Sequence, residues 1–397
     1  MSDLLRDATA RHAAGDLDGA ERLYRRVLRQ QPREANALNL LGVVARQRGQ
    51  PEAALAPIRQ ALALRPDSAV FNANLGAALA ECGRLPEAVA ALRHALATRP
   101  DDAVTLRNLG QALCALGQAV DALAPLRRAV ALAPDAAEAW LALAHAWRDA
   151  GEAAEAAGAA EAALRCAGIA PPLAAQARFL LAALGGPQAV PDRAPADYVR
   201  DLFDGFAPRF EAELTGPLGY RTPALLAALL ERSGLAQDRA RTVLDLGCGT
   251  GLSGAALAGF AGRLEGLDLS PRMLAQARRR GLYDALHEAD LLEWLPVHPA
   301  AFDLVAAADV LNYLGDLGPA LRAMATALVP GGIAAFSVEA GEEAPYALGE
   351  ALRFRHDPGH VEALAAATGF VVLAREAAVL RREKGRDVAG ALFVLRR

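Results

Sequence analysis

The nine residues Val243-Leu-Asp-Leu-Gly-Cys-Gly-Thr-Gly251 decide how the second half of this 397-residue chain folds. Val243 to Leu246 is a short apolar run holding one acid, the pattern of a strand buried within a parallel sheet. Gly247, Gly249 and Gly251 follow at alternate positions and lead into small residues suited to a helix start. Without Cβ atoms, these positions admit a tight turn, the approach of a ligand to bare main chain, and a helix packed close to the strand. A dinucleotide loop, G-x-G-x-x-G, would want its third glycine where Leu252 stands. The spacing is instead D-x-G-x-G-x-G, and it points to a nucleoside cofactor.

The stretches that follow keep to one order. Arg263-Leu-Glu-Gly-Leu-Asp268 reads as a second strand ending in an acid, 23 residues beyond Asp245. A carboxylate about 20 residues on is placed to accept both ribose hydroxyls. Pro271 then opens a helix. Glu288-Ala-Asp290-Leu291 comes next, then an apolar strand from Phe302 to Asp309, then Leu328-Val-Pro-Gly-Gly-Ile with a strand from Ala334 to Val338. Singly, an aspartate after an apolar run is commonly a helix cap or turn residue. Taken in order, these stretches resemble the motifs of the class I S-adenosylmethionine-dependent methyltransferases, whose ligand has no pyrophosphate to rest on the helix.

That resemblance implies an α/β Rossmann-like domain with a seven-stranded sheet, and S-adenosylmethionine as cofactor. It also implies a cofactor site at Asp245, Gly247, Cys248, Gly249 and Gly251, with Asp268 on the ribose and Leu269 or Met273 against the adenine. Asp290 would receive the adenine amine, the Leu291 amide would meet the ring, and Ala308 would lie on the central strand beneath the reactive methyl group. In this family the first acid often acts through the glycine loop, so part of the role of Asp245 is structural.

The first 170 residues are periodic. Gly15, Gly49, Gly83, Gly117 and Gly151 step by 34, as do Ala20, Ala54, Ala88, Ala122 and Ala156, and Pro32, Pro66, Pro100 and Pro134. This period, with small residues at the helix crossing and proline after the second helix, resembles the tetratricopeptide repeat. Five repeats over residues 1–170 form an all-α solenoid, because one helix pair cannot bury its apolar face alone. Asn74 and Asn108 share one repeat position and resemble the asparagine ladder by which some solenoids grip a peptide backbone, and Asn39 would add to the polar lining of that groove. An amide bonds both C=O and N–H, so a protein or peptide is the expected partner. The bland alternative is that asparagine is simply common at that repeat position.

Residues 171–195 read as a capping helix, Leu173 to Leu184, and a linker, Gly185-Gly-Pro-Gln-Ala-Val-Pro-Asp-Arg-Ala-Pro195. Residues 196–397 form the methyltransferase domain, opening with an aromatic lid, Tyr198-Val-Arg-Asp-Leu-Phe203-Asp-Gly-Phe206-Ala-Pro-Arg-Phe210, then Leu218-Gly-Tyr220-Arg221. Tyr198, Tyr220 and Arg221 carry polar ends suited to a lid or substrate role, whereas Phe203, Phe206 and Phe210 are expected chiefly to pack. A net charge of −4 without basic clusters argues against nucleic acid, and no long uncharged apolar run suggests a membrane span. Cys82, Cys114, Cys166 and Cys248 are scattered, lack metal-ligand spacing and suit a reducing compartment. With no signal-like N-terminus, the expectation is a cytoplasmic protein without metal.

Methyl transfer to a hydroxyl or amine needs a proton acceptor. His356 leads as the candidate base, with Asp309 and Tyr313 behind it. The expected function is transfer of a methyl group to O or N of a protein or peptide recruited by the repeats. The alternatives are a small-molecule methyltransferase whose repeats mediate assembly, and a non-catalytic adaptor that binds the cofactor.

Overall fold

The computed structural model describes residues 3–166, 168–186, 190–216, 219–343, 345–383 and 385–397. Residues 187–189 of the linker and Leu218 of the aromatic stretch lie outside that set. The chain divides into two compact units, Met1–Ala177 and Arg178–Arg397. Among the described residues, no helix is long and apolar enough to cross a membrane.

In the first unit the 34-residue period becomes five helix pairs: α1 Asp3–Ala13 and α2 Leu17–Gln30, α3 Ala35–Gln47 and α4 Pro51–Leu64, α5 Ala69–Glu81 and α6 Leu85–Thr98, α7 Ala103–Ala115 and α8 Ala119–Leu132, α9 Ala137–Asp149 and α10 Ala153–Arg165. Two residues past the end of each first helix stands a glycine with φ between +72° and +87°, a conformation that lets the chain reverse in three residues. The alanine series, Ala20 to Ala156, is fully buried. Gly42, Gly76 and Gly110 let the paired helices touch: an added Cβ would meet Ile58 at 2.5 Å, Leu92 at 2.5 Å and Leu126 at 2.3 Å. Side-chain caps at Asp16, Glu34, Ser68 and Asp102 open α2, α3, α5 and α7.

Helix α11, Pro171–Ala183, spans the division between the units. The division falls after Ala177, inside the expected connecting segment 171–195, and Phe179, at 2% exposure, packs its ring against Tyr198 and Phe354 inside the second unit. The second half of this helix is therefore packed into the α/β unit.

The second unit continues with α12 Ala196–Phe206, α13 Phe210–Thr215 and α14 Thr222–Arg232. Strands and helices then alternate: β1 Arg241–Leu246, α15 Leu252–Leu257, β2 Ala261–Asp268, α16 Pro271–Arg280, β3 Ala285–Glu288, α17 Leu291–Trp294, β4 Phe302–Ala307, α18 Gly318–Ala327 and β5 Leu328–Ala340. After these come β6 Tyr346–Leu348, β7 Phe354–His356, α19 Pro358–Ala367, β8 Val371–Glu383 and β9 Arg386–Arg396. Strands β3-β2-β1-β4-β5 are parallel in that spatial order, β9 pairs antiparallel with β5, and β8 with β9. These seven make the expected doubly wound sheet. The described sheet has nine strands, because β5 runs on far enough to pair with β7, on which β6 folds back.

Alternation along β1 sends Leu244 and Leu246 to one apolar layer and Val243 to the other, so the sheet is covered on both faces. The winding reverses between β1 and β4, and a crevice opens at their C-terminal ends, where such sheets bind ligands.

The glycine contacts predict opposite outcomes for two substitutions. Gly110→Val forces atoms into Leu126 and lowers the unfolding free energy by about 2 kcal/mol. Gly158→Ala, with nothing within 4 Å of its added carbon, is neutral or stabilises by up to about 1 kcal/mol. Denaturant melts of the two variants check both signs.

Candidate active site

The crevice holds a cavity of about 220 Å³. Gly247, Cys248, Gly249, Leu252 and Ser253 form one wall, Leu267 to Leu269 and Ala289 to Leu291 a second, and Ala308 to Val310 with Asn312 to Leu314 a third. Phe203, Phe206 and Phe210 close it from α12 and α13, Tyr220 from the connection before α14, and Arg353, Arg381 and Glu383 from the far side.

Asp268 ends β2 at this wall with 8% exposure. Its Oδ2 accepts the Gly249 N–H at 2.8 Å and its Oδ1 the Ser270 N–H at 2.8 Å. The carboxylate is thus fixed by main chain, and each oxygen keeps a lone pair for another donor. Burial raises its pKa to about 6, against the pull of those amides. Gly249 has φ +53°, and a Cβ there would sit 3.8 Å from Phe210, so the lid ring lies directly over the glycine loop.

The lid is latched rather than loose. Asp204 of α12 accepts Ser270 Oγ at 2.5 Å and the Arg272 N–H at 3.3 Å. Glu211 accepts Arg280 at 2.6 Å, and the same guanidinium donates to the Thr250 carbonyl at 2.7 Å. Phe203 and Phe206 pack on Phe210, and Phe203 also meets Tyr313 at 5.6 Å. The three phenylalanines therefore both pack the helices and line the cavity.

Opposite lies a charged cluster. Arg381 donates to Asp309 Oδ2 at 2.9 Å and to Glu383 at 2.7 Å, and it also pairs with Glu339. Arg353 donates to Glu339 at 2.6 Å and to both oxygens of Glu383, at 2.6 and 2.5 Å. Asp309 has φ +59°, a strained value for a residue with a Cβ, and is held there by Ser337 Oγ accepting its N–H at 2.8 Å. Asp309 Oδ1 and Asn312 Oδ1 are buried without a hydrogen-bond partner among the described residues. Burial pushes the Asp309 carboxyl up while Arg381 opposes the shift.

Several expected site residues lie elsewhere. Asp245 is fully buried off the cavity, where its Oδ2 accepts Ser253 Oγ and Tyr283 OH, each at 2.7 Å. It anchors the loop from behind, and burial raises its pKa to about 7. Gly251 caps α15, and Met273 is buried in α16; neither lines the cavity.

His356 does not reach the cavity. It is 1% exposed on β7, its Nε2–H donates to the Gly315 carbonyl at 3.0 Å, and burial lowers its pKa. The histidine ties β7 to the loop after β4, so it is corrected from base to structural tie. Pro358 starts α19 behind the Asp357 cap. Tyr220 lines the cavity and donates to the Ala308 carbonyl at 3.4 Å, whereas Tyr198 packs on Phe179 and Arg221 is exposed before α14. In the repeats, Asn39 is 2% exposed and its Oδ1 accepts Asn74 Nδ2 at 3.1 Å, which withdraws it from any groove surface. Asn108 stays half-buried and accepts from Arg107 at 3.4 Å.

Residues 244–336 match the family model described as "Methyltransferase domain", and residues 5–69, 107–171 and 67–135 match tetratricopeptide-repeat models. A ubiquinone biosynthesis O-methyltransferase of Sodalis glossinidius is 34% identical over 34% of this chain and 56% of its own length. A malonyl-[acyl-carrier protein] O-methyltransferase of Enterobacter lignolyticus is 35% identical over 31% and 46%, and a trans-aconitate 2-methyltransferase of Methylobacterium radiotolerans 40% identical over 32% and 45%. The chain thus spans about half the length of the curated relatives it matches. It joins tetratricopeptide repeats to a domain of the class I methyltransferase family, whose cofactor is S-adenosylmethionine.

The crevice fits that cofactor: it combines bare main chain at Gly247 and Gly249, a pinned carboxylate with spare lone pairs at Asp268, and an aromatic lid. A ribose hydroxyl would donate to the ionised form of Asp268, so below about pH 6 binding would first have to release a proton. Calorimetry with S-adenosylhomocysteine is expected to show constant affinity above about pH 7 and a fall approaching about tenfold per unit below about pH 6. Affinity that is flat or rises in acid contradicts this. For folding of the free protein the sign is opposite. Both buried acids have raised pKa values, so stability present at low pH is lost as the pH climbs through about 6 and about 7, measurable as a falling melting temperature.

Proposed function

We propose that the α/β unit transfers a methyl group from S-adenosylmethionine to an oxygen or nitrogen of a protein or peptide held by the repeats. S-adenosylmethionine supplies an electrophilic methyl group on a sulfonium, and the residues around the crevice do the rest. Gly247 to Gly249 and Leu269 seat the nucleoside, Asp268 accepts its ribose hydroxyls, and Asp290 with Leu291 meets the adenine edge. Ala308 lies beneath the transfer point, and the phenylalanine lid excludes water.

The observation that carries this reading is the pair of unpartnered acceptor atoms, Asp309 Oδ1 and Asn312 Oδ1, on residues of the same cavity as Asp268. An acceptor hydroxyl or amine brings the hydrogen they lack. Asp309 takes that proton, and Arg381 on its other oxygen fixes its orientation. Tyr313 lines the cavity, but burial pushes its phenol upward, so it stays protonated at neutral pH and can donate but not accept. Oxygen is the favoured target, since relatives at this level of identity are named O-methyltransferases. Those names also support a second reading, in which the acceptor is a small molecule and the repeats serve assembly.

Proteins captured on the intact chain and incubated with methyl-tritiated cofactor distinguish the two. Protein-bound label that falls when Asn74 and Asn108 are both changed to Ala, with S-adenosylhomocysteine affinity unchanged, supports recruitment; label only in the small-molecule fraction supports the second reading. On the substrate so found, Asp309→Asn is expected to lower turnover by about 100-fold or more while cofactor affinity stays within about threefold.

A further inference from the structure

The segment just before the lid enters the cavity. Asp192 accepts the Gly315 and Asp316 N–H groups at 2.7 and 3.0 Å on its carbonyl, and Tyr346 OH at 3.0 Å on its side chain. Arg193 forms a β-bridge with Leu314, and the Ala194 N–H donates to the Tyr313 carbonyl at 2.8 Å. This strap is thereby fixed to the loop after β4. Arg193 and Ala194 both line the cavity, and the Arg193 guanidinium pairs with Asp290 Oδ2, while Asp290 Oδ1 accepts the Leu292 N–H at 2.8 Å.

We propose that Arg193 is a cofactor-binding residue: held by Asp290, its planar cation closes the adenine end of the cavity. The inference rests on the cofactor reading above and adds a residue lying about 50 positions ahead of the glycine loop, outside every motif of the fold. The chemistry suits arginine specifically. One edge of a guanidinium satisfies a carboxylate while its face remains free to stack on a purine, and the stack is worth more where water is excluded. The pair also neutralises the Asp290 carboxylate, which would otherwise lie uncompensated at the edge of a bound base. Because the strap is bonded to both Tyr313 and Gly315, it places this cation without a search when ligand arrives.

Calorimetry of the full chain with S-adenosylhomocysteine, and separately with adenosine, tests the assignment. Arg193→Ala is expected to weaken both ligands by about tenfold, since the contact is to the base they share, and Arg193→Lys to recover only part, lacking the planar face. Arg193→Gln serves the same test should the alanine variant misfold. A loss of about threefold or more for both ligands supports the proposal. Smaller losses, tighter binding, or a loss confined to S-adenosylhomocysteine overturn it while leaving the cofactor reading intact. A wild-type chain that binds neither ligand overturns both.

Discussion

The second unit is organised around a carboxylate buried at the tip of β2. Asp268 costs desolvation wherever it is ionised, and the chain offsets that cost with the N–H groups of Gly249 and Ser270. Those amides can reach it only because the glycine loop bends back from β1 and the next helix starts at Pro271. Asp245 completes the arrangement from the other side of the loop by tying the end of β1 to Ser253 and Tyr283. Loop shape, acid position and crevice are therefore one constraint seen from three places.

The far side of the cavity follows a different logic. Three acids and two arginines sit together at low exposure, an arrangement that seldom stabilises a fold over apolar residues of the same size. It does fix positions. Arg381 pins Asp309 through one oxygen and leaves the other without a partner, at a residue whose backbone is itself strained. Strain and an unsatisfied acceptor at the mouth of the central strand are costs that folding alone does not require, which is why the chemistry is assigned there.

What could be read from the sequence was local. The glycine loop and Asp268 were read from spacing along one βαβ run and Asp290 from the family resemblance, and all three line the cavity, while the fixed period reappears as helix pairs. Asp309 could be named as a candidate but not ranked first, because the arginine that orients it arrives from β8, 72 residues away. His356 looked like a base because residue type is visible in sequence and burial is not. The same blindness applies to Asn39, whose amide is spent on Asn74, and to Arg193, which reads as one polar residue in a breaker-rich linker until the β-bridge to Leu314 places it. The extra hairpin of β6 and β7 was unreadable because each strand is three residues long.

Titrating S-adenosylmethionine into the intact chain and its Asp268→Ala variant, by calorimetry near pH 7.5, tests the central claim most directly. The account predicts a single saturable site in the wild type and a loss of affinity of at least about 30-fold in the variant, the scale of hydrogen bonds to a charged group. No uptake by the wild type, or equal uptake by both proteins, would contradict it.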